Sequence, residues 1–153
     1  MRLRRIVYAT QLVVPFVMPW IFFLARTWLG APAGWLPGVG LIMLGPAMTI
    51  ALGIPVLISL RDRDAYRAKA ASASYTYATL TVWGALLVAA IVIPEVGLEG
   101  PSSLIGVWTG GVIDTVTAQY ALFLAGVVAV AAWASAVWFA ITGLIEARRR
   151  AGL

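Results

Sequence analysis

YALFLAGVVAVAAWASAVWFAITGLI, Tyr120 to Ile145, runs on without a single charge, and Arg148, Arg149 and Arg150 follow at once. Crossing the roughly 30 Å hydrocarbon core of a bilayer takes about 20 apolar residues in helical form. This stretch is long enough, and three more like it lie upstream: Ile6 to Ala25, Gly38 to Leu60 and Tyr75 to Pro94. The basic residues collect at their margins. Arg2, Arg4 and Arg5 precede the first; Arg61, Arg63, Arg67 and Lys69 lie between the second and third. The pattern predicts an all-α integral membrane protein, an up-and-down bundle of four helices over about 6–25, 38–60, 75–94 and 120–145.

Composition agrees with this class. Hydrophobic residues make up 62% of the 153 and charged residues 11%, against roughly 45–50% and 25% in soluble domains. The four stretches leave no room for a separate soluble domain, so 1–153 reads as one membrane domain. The formal charge of +5 does not point to nucleic acid, because every basic cluster abuts the end of a span. There such residues set topology and meet anionic headgroups. The positive-inside rule puts all three clusters, and both termini, in the cytoplasm. The balance is then +7 inside and −2 outside. A cleaved signal peptide is the alternative for the beginning, with Ala31-Pro32-Ala33 as an A-x-A site. The first apolar run exceeds the usual 7–15 residues of a signal h-region, which favours a retained helix.

Cysteine and histidine are both absent. That removes disulfides, thiolate metal ligands, histidine-ligated haem and histidine acid–base chemistry, and no cofactor or metal is expected. Arginine outnumbers lysine ten to one, a bias that fits a GC-rich genome; the expected location is a bacterial plasma membrane. No Asp, Glu, Lys or Arg stands near the middle of a span, which counts against ion-coupled transport.

Four groups of residues carry the remaining chemistry. In the fourth span Ala125, Ala129, Ala132, Ala136 and Ala140, extended by Ala118, Ala121 and Gly143, fall within an arc of about 100°. Gly45, Thr49 and Gly53 repeat the small-xxx-small spacing in the second. Small residues let helix backbones approach closely in lipid, so these two faces are expected to pack on each other or on a partner. Prolines form the second group. Pro15 and Pro19, Pro46 and Pro55, and Pro94 deprive the carbonyls of Gln11, Pro15, Ile42, Ala51 and Ala90 of their helical donors. Within lipid those acceptors need internal partners, which makes the Gln11 region a candidate hinge or small polar site. Trp83 and Trp133 lie deep, where an indole N–H should also find a partner.

The third group is Arg26, Glu95, Glu99 and Asp114, all at the external margin. An ion pair from Arg26 to Glu95 or Asp114 would tie helix ends together, and paired carboxylates near an arginine could support acid–base chemistry. No nucleophile or ligand spacing accompanies them. The fourth group, Arg61, Arg63, Arg67 and Lys69, offers a docking surface on the cytoplasmic connection. The external segment 101–117 is apolar yet broken by Gly106, Gly110 and Gly111, which suits an interfacial or re-entrant piece.

The expected function follows from this inventory. It is a non-catalytic accessory subunit, scaffold or assembly factor acting through helix faces, embedded in the bilayer as a homo-oligomer or part of a larger complex. A small oligomeric transporter or holin-like pore former is the alternative, and a membrane enzyme acting on lipid-linked substrates comes third.

Overall fold

Proline decides the shape of the first quarter of the chain. The computed structural model describes residues 2–30, 34–97 and 100–150. In it the helix expected over 6–25 is two pieces, α1 (Arg2–Thr10) and α2 (Val14–Trp28), inclined by 74°. Pro15 has no N–H to continue α1, and its ring would crowd the preceding turn. The chain closes α1 with a tight turn instead, the Val13 N–H bonding to the Thr10 carbonyl at 2.9 Å. Pro15 then falls in the first turn of α2, where a missing donor costs nothing. Within α2, Pro19 is followed by a π-helical turn over Ile21–Ala25.

The second apolar stretch forms α3 (Leu36–Ser59), which opens with a π-helical turn over Leu36–Gly40 and carries Pro46 and Pro55 without breaking. A short α4 (Arg63–Ala68) leads to α5 (Ala73–Val92). Ser72 caps α5, its Oγ accepting the Tyr75 N–H at 3.3 Å, and Pro94 lies just past its end. Next comes an antiparallel hairpin, β1 (Glu95–Gly97) with β2 (Gly100–Ser102), in which Glu95 faces Ser102. The segment expected to be one interfacial or re-entrant piece over 101–117 is thus subdivided. It comprises the end of β2, α6 (Leu104–Trp108), a turn and the start of the last helix. Gly110 and Gly111 take φ of +61° and +86° in that turn, a conformation that suits glycine.

The last helix, α7 (Thr115–Arg150), has 36 residues, about 54 Å at 1.5 Å per residue. It outruns the 120–145 expected from hydropathy because Thr, Gln, Glu and Arg extend a helix as readily as they flank one. Three helices (α3, α5 and α7) are long and apolar enough to cross a membrane, and α1 with α2 makes a fourth if the bent pair is one span.

The core forms around α5. Val7 of α1, Ala71, Tyr75 and Ala78 pack with Ala136 and Ala140 of α7. A second cluster joins Met18 of α2, Leu52 of α3, Val82 of α5 and Ala132 of α7. The alanines of α7 therefore meet α5 most extensively, with α3 a secondary neighbour. This corrects the expected pairing with Gly45, Thr49 and Gly53. Gly45 turns toward Pro19 of α2, and a methyl group on Gly53 would meet nothing within 4 Å. Alanine also lines α5 at Ala78, Ala85 and Ala89, so two small-residue faces meet and bring the backbones close.

The first helix pair climbs the whole of α5 despite its bend. Arg4 exchanges two hydrogen bonds with Ala71, its Nε donating to the Ala71 carbonyl at 2.6 Å and its own carbonyl accepting the Ala71 N–H at 3.4 Å. Val7 packs on Tyr75, Met18 on Val82, and Arg26 donates to the Ile93 carbonyl at 3.0 Å. From Ala71 to Ile93 is about 33 Å of helical rise. The basic connection lies at the Arg4 end, and Gly143 of α7 comes up against Asp62 there. All three basic clusters thus gather at one end of the fold.

Candidate functional site: two buried polar centres

At the end opposite the basic clusters, Arg26 and Glu95 are buried together. Their charged groups lie 3.7 Å apart with side chains 1% exposed. The Arg26 Nη2 also donates to the Ile93 carbonyl, just before Pro94. Glu95 Oε1 accepts the Leu36 N–H at 2.6 Å, so the carboxylate pins the first turn of α3. Gly34 is required beside it, because a methyl there would overlap the Glu95 carboxyl. The site is incompletely satisfied: Arg26 Nε and Nη1 and Glu95 Oε2 make no hydrogen bond. A π-helical turn precedes Arg26 and another starts at Leu36, and Phe23 of the first packs against Gly40 of the second. The extra residue in each turn rotates the downstream side chains relative to a regular helix.

Asp114 does not join this centre. It is exposed and stands just before α7, where its Oδ1 accepts the Thr117 N–H at 2.8 Å. That is the geometry of an N-cap, which satisfies an orphan donor of the first turn. Glu99 lies outside the described residues. Among the described residues, no three His, Cys, Asp or Glu side chains gather into a metal-binding group. Hydrogen bonding to Thr117 holds the Asp114 carboxyl below its ordinary range. The folded pKa is therefore lower than the unfolded one, near 3.9. The cap contributes fully above that value, and its contribution is lost as pH falls through the folded pKa. Amide protection in the first turn of α7 should drop over that acid window. Asp114→Asn, an equally good cap, should abolish the pH dependence, and hydrogen–deuterium exchange of the two proteins compares them directly.

The second centre lies nearer the basic end. Gln11, fully buried, sits where α1 ends, and its Oε1 accepts from Ser59 Oγ and Tyr75 Oη, each at 3.1 Å. Three apolar stretches are joined by this one amide oxygen. The Gln11 Nε2 is buried without a partner, and the Thr79 hydroxyl lies beside the Tyr75 phenol. The sequence marks Gln11 through the carbonyl that Pro15 frees. Tyr75 carries no comparable signal, although Tyr75 and Thr79 share one helical face at i, i+4.

One proline-freed carbonyl finds its donor on another helix. Pro55 leaves the Ala51 carbonyl without its helical N–H, and the Trp133 Nε1 of α7 donates to it at 2.7 Å. Trp133→Phe keeps an aromatic ring in place and strands that acceptor. It should cost about 1–3 kcal/mol in reversible unfolding. A loss below a few tenths would show that the carbonyl finds another partner. The hydroxyls of Thr10 and Thr49 do not serve this purpose and bond to carbonyls four residues back in their own helices. Pro46 lies on the outer surface.

The small-residue face of α7 is spent within the chain. Ala125, Ala132, Ala136 and Ala140 are buried and Ala129 is half-buried, while Ala131 and Ala134, off the stripe, are exposed. On the basic connection, Arg61, Arg67 and Lys69 are exposed, and Arg63 opens α4. Lys69 takes φ of +46° where the chain turns into α5.

Fold and sites together define a helical protein with several helices of membrane-crossing length, two buried polar centres and a basic end. Comparison with family models, with curated proteins and with solved structures finds no match to this chain.

Proposed function

We propose that the chain is a four-span plasma-membrane protein with both termini cytoplasmic, acting without catalysis as an accessory subunit, scaffold or assembly factor. The four-span reading is supported by the bent α1–α2 pair, which is tied to α5 at Ala71 and again at Ile93. The orientation is supported by the collection of the basic clusters at one end, which the positive-inside rule assigns to the cytoplasm.

The observation that carries the accessory reading is the uneven use of helix surface. Half of the apolar window of α5 is buried within the chain, against 22% for α3 and 11% for α7. The close-packing face of α7 is used internally, while Phe123, Leu124, Val127, Val130 and Trp138 point outward. This chain encloses little beyond α5, and its longest helix turns most of its apolar surface to its surroundings. In a complex, that surface is the contact face; in a lone protein, it meets only lipid.

Photo-crosslinking separates the two. A photoreactive residue at Val130 in the native membrane should give a discrete protein adduct, a second copy or another chain that also co-purifies in mild detergent. Recovery of lipid adducts alone, with a monomeric purified protein, contradicts the proposal. A small oligomeric transporter or holin-like pore is the second reading, favoured by the broken first span and the buried Gln11 centre. Solute release from liposomes by the purified oligomer would establish it in place of the first.

A further inference from the structure

The α1–α2 pair does not follow α5 evenly. Arg4, Val7 and Gln11 all meet it between Ala71 and Tyr75, at its very start. Over those residues α1 advances about 10 Å along its own axis. Beyond the bend, Met18 lies on Val82 and Arg26 on Ile93, so α2 keeps step with α5 to its end. With 74° between the two helices, α2 runs along α5 and α1 lies across its base. The rise of α5 from the Gln11 level at Tyr75 to the Arg26 level at Ile93 is about 27 Å. That is close to the roughly 30 Å of the hydrocarbon core, so nearly a full crossing is made without α1.

The composition of α1 differs from that of the helices it meets. α3 and α5 are apolar on every side, whereas α1 is sharply two-sided. At about 100° per residue, Arg4, Val7 and Gln11 share an arc of about 60°, and this arc faces α5. Leu3 and Ile6 lie along one flank, 44% and 55% exposed, and the exposed Arg2 and Arg5 share the outer face. Leu12, Val13 and Phe16, also exposed, continue the apolar surface across the bend onto α2. The helix holds three arginines and no acid. Guanidinium groups match phosphate oxygens in geometry and charge, and basic helices with one apolar side lie in the plane of a membrane surface.

We propose that α1 is an in-plane helix docked on the anionic headgroups of the cytoplasmic leaflet, with Arg2 and Arg5 among the phosphates and Ile6 at the acyl boundary. The proposal rests on the four-span reading, which puts the basic end in the cytoplasm. It gives the leaflet a mechanical hold on the bundle. Gln11 joins the end of α1 to Ser59 and Tyr75, so headgroup charge acting on α1 bears on α3 and α5 through one buried amide.

The chain has no cysteine, so Leu3→Cys, Ile6→Cys and Ala9→Cys each carry one nitroxide in the full-length protein in nanodiscs. Their depths are read from the balance of oxygen and nickel-chelate accessibility. The three labels are expected at one depth, within a few ångströms. A continuous span would deepen by about 9 Å from Leu3 to Ala9, and such a gradient overturns the proposal. A bimane on Ala9→Cys then reads the lipid chemistry. Phosphatidylglycerol or phosphatidylcholine is supplied with a nitroxide high on one acyl chain. Phosphatidylglycerol should quench about twofold more strongly, and adding Arg2→Gln with Arg5→Gln should remove the difference. Equal quenching by the two lipids, or an excess that survives the double replacement, overturns the proposal. Failure of the four-span reading registers separately, in the side from which Leu3→Cys and Val112→Cys react with an impermeant reagent. A depth gradient with that sidedness intact counts against the placement of α1 alone.

Discussion

Glu95→Ala is expected to destabilise the protein by about 3–5 kcal/mol, the cost of stranding a buried charge. The magnitude follows from burial. Arg26 and Glu95 are 1% and 2% exposed as whole residues, so neither charge can be rehydrated without opening the end of the fold. Removing the carboxylate also frees the Leu36 N–H and with it the first turn of α3. Arg26→Ala should cost a similar amount and leave the Ile93 carbonyl without its donor.

The double replacement Arg26→Met with Glu95→Leu discriminates between a pair and two independent contacts. Buried pairs exchanged for apolar residues of similar volume are often neutral or better, so the double variant should recover most of either single loss. Three orphaned polar atoms at this centre strengthen that expectation. Reversible unfolding in mixed micelles, analysed as a double-mutant cycle, measures it. Losses that simply add would show that the two groups do not act as a pair.

Ala136→Leu is the second large effect. Ala136 is 1% exposed, set in the cluster with Tyr75, Ala78 and Val7. The larger side chain has no space between α7 and α5, and overpacking of this kind costs about 1–3 kcal/mol. Ala132→Leu, at the second cluster, should act in the same direction. Ala134→Leu, on the exposed face, should stay within about 0.5 kcal/mol. Equal effects at 134 and 136 would show that the stripe is not the packing face.

Helix existence and the alanine stripe were readable because each rests on local periodicity. A run of apolar residues and a 100° repeat need no tertiary information. The break after Thr10 was half readable: Pro15 announces a lost hydrogen bond, but whether the chain kinks or stops depends on what Gln11 finds beside it. Pro46 and Pro55 carry the same local signal and α3 stays continuous. The Trp133 donor that satisfies Ala51 explains how it does so at Pro55.

Partner choice was the least readable part. Gly45, Thr49 and Gly53 have the spacing of a packing motif, yet the alanines of α5 compete for the same face of α7 and meet it more closely. Sequence spacing defines a face and says nothing of which face it meets. The acidic rim shows the same limit. Glu95 and Asp114 look equivalent along the chain, and only the fold makes one a buried partner of Arg26 and the other an exposed helix cap. Gly34 gave no signal at all, because its need for a bare Cα arises from a side chain far along the sequence.

The four-span arrangement turns on whether the bent α1–α2 pair crosses the bilayer. The chain has no cysteine, so single substitutions at exposed positions report sidedness without background. Leu3→Cys and Val112→Cys, both at exposed residues, are treated with a membrane-impermeant maleimide in intact cells and after permeabilisation. The four-span arrangement requires that Val112→Cys label in intact cells and Leu3→Cys only after permeabilisation. Labelling of both positions from the same side would mean three crossings, and would contradict it.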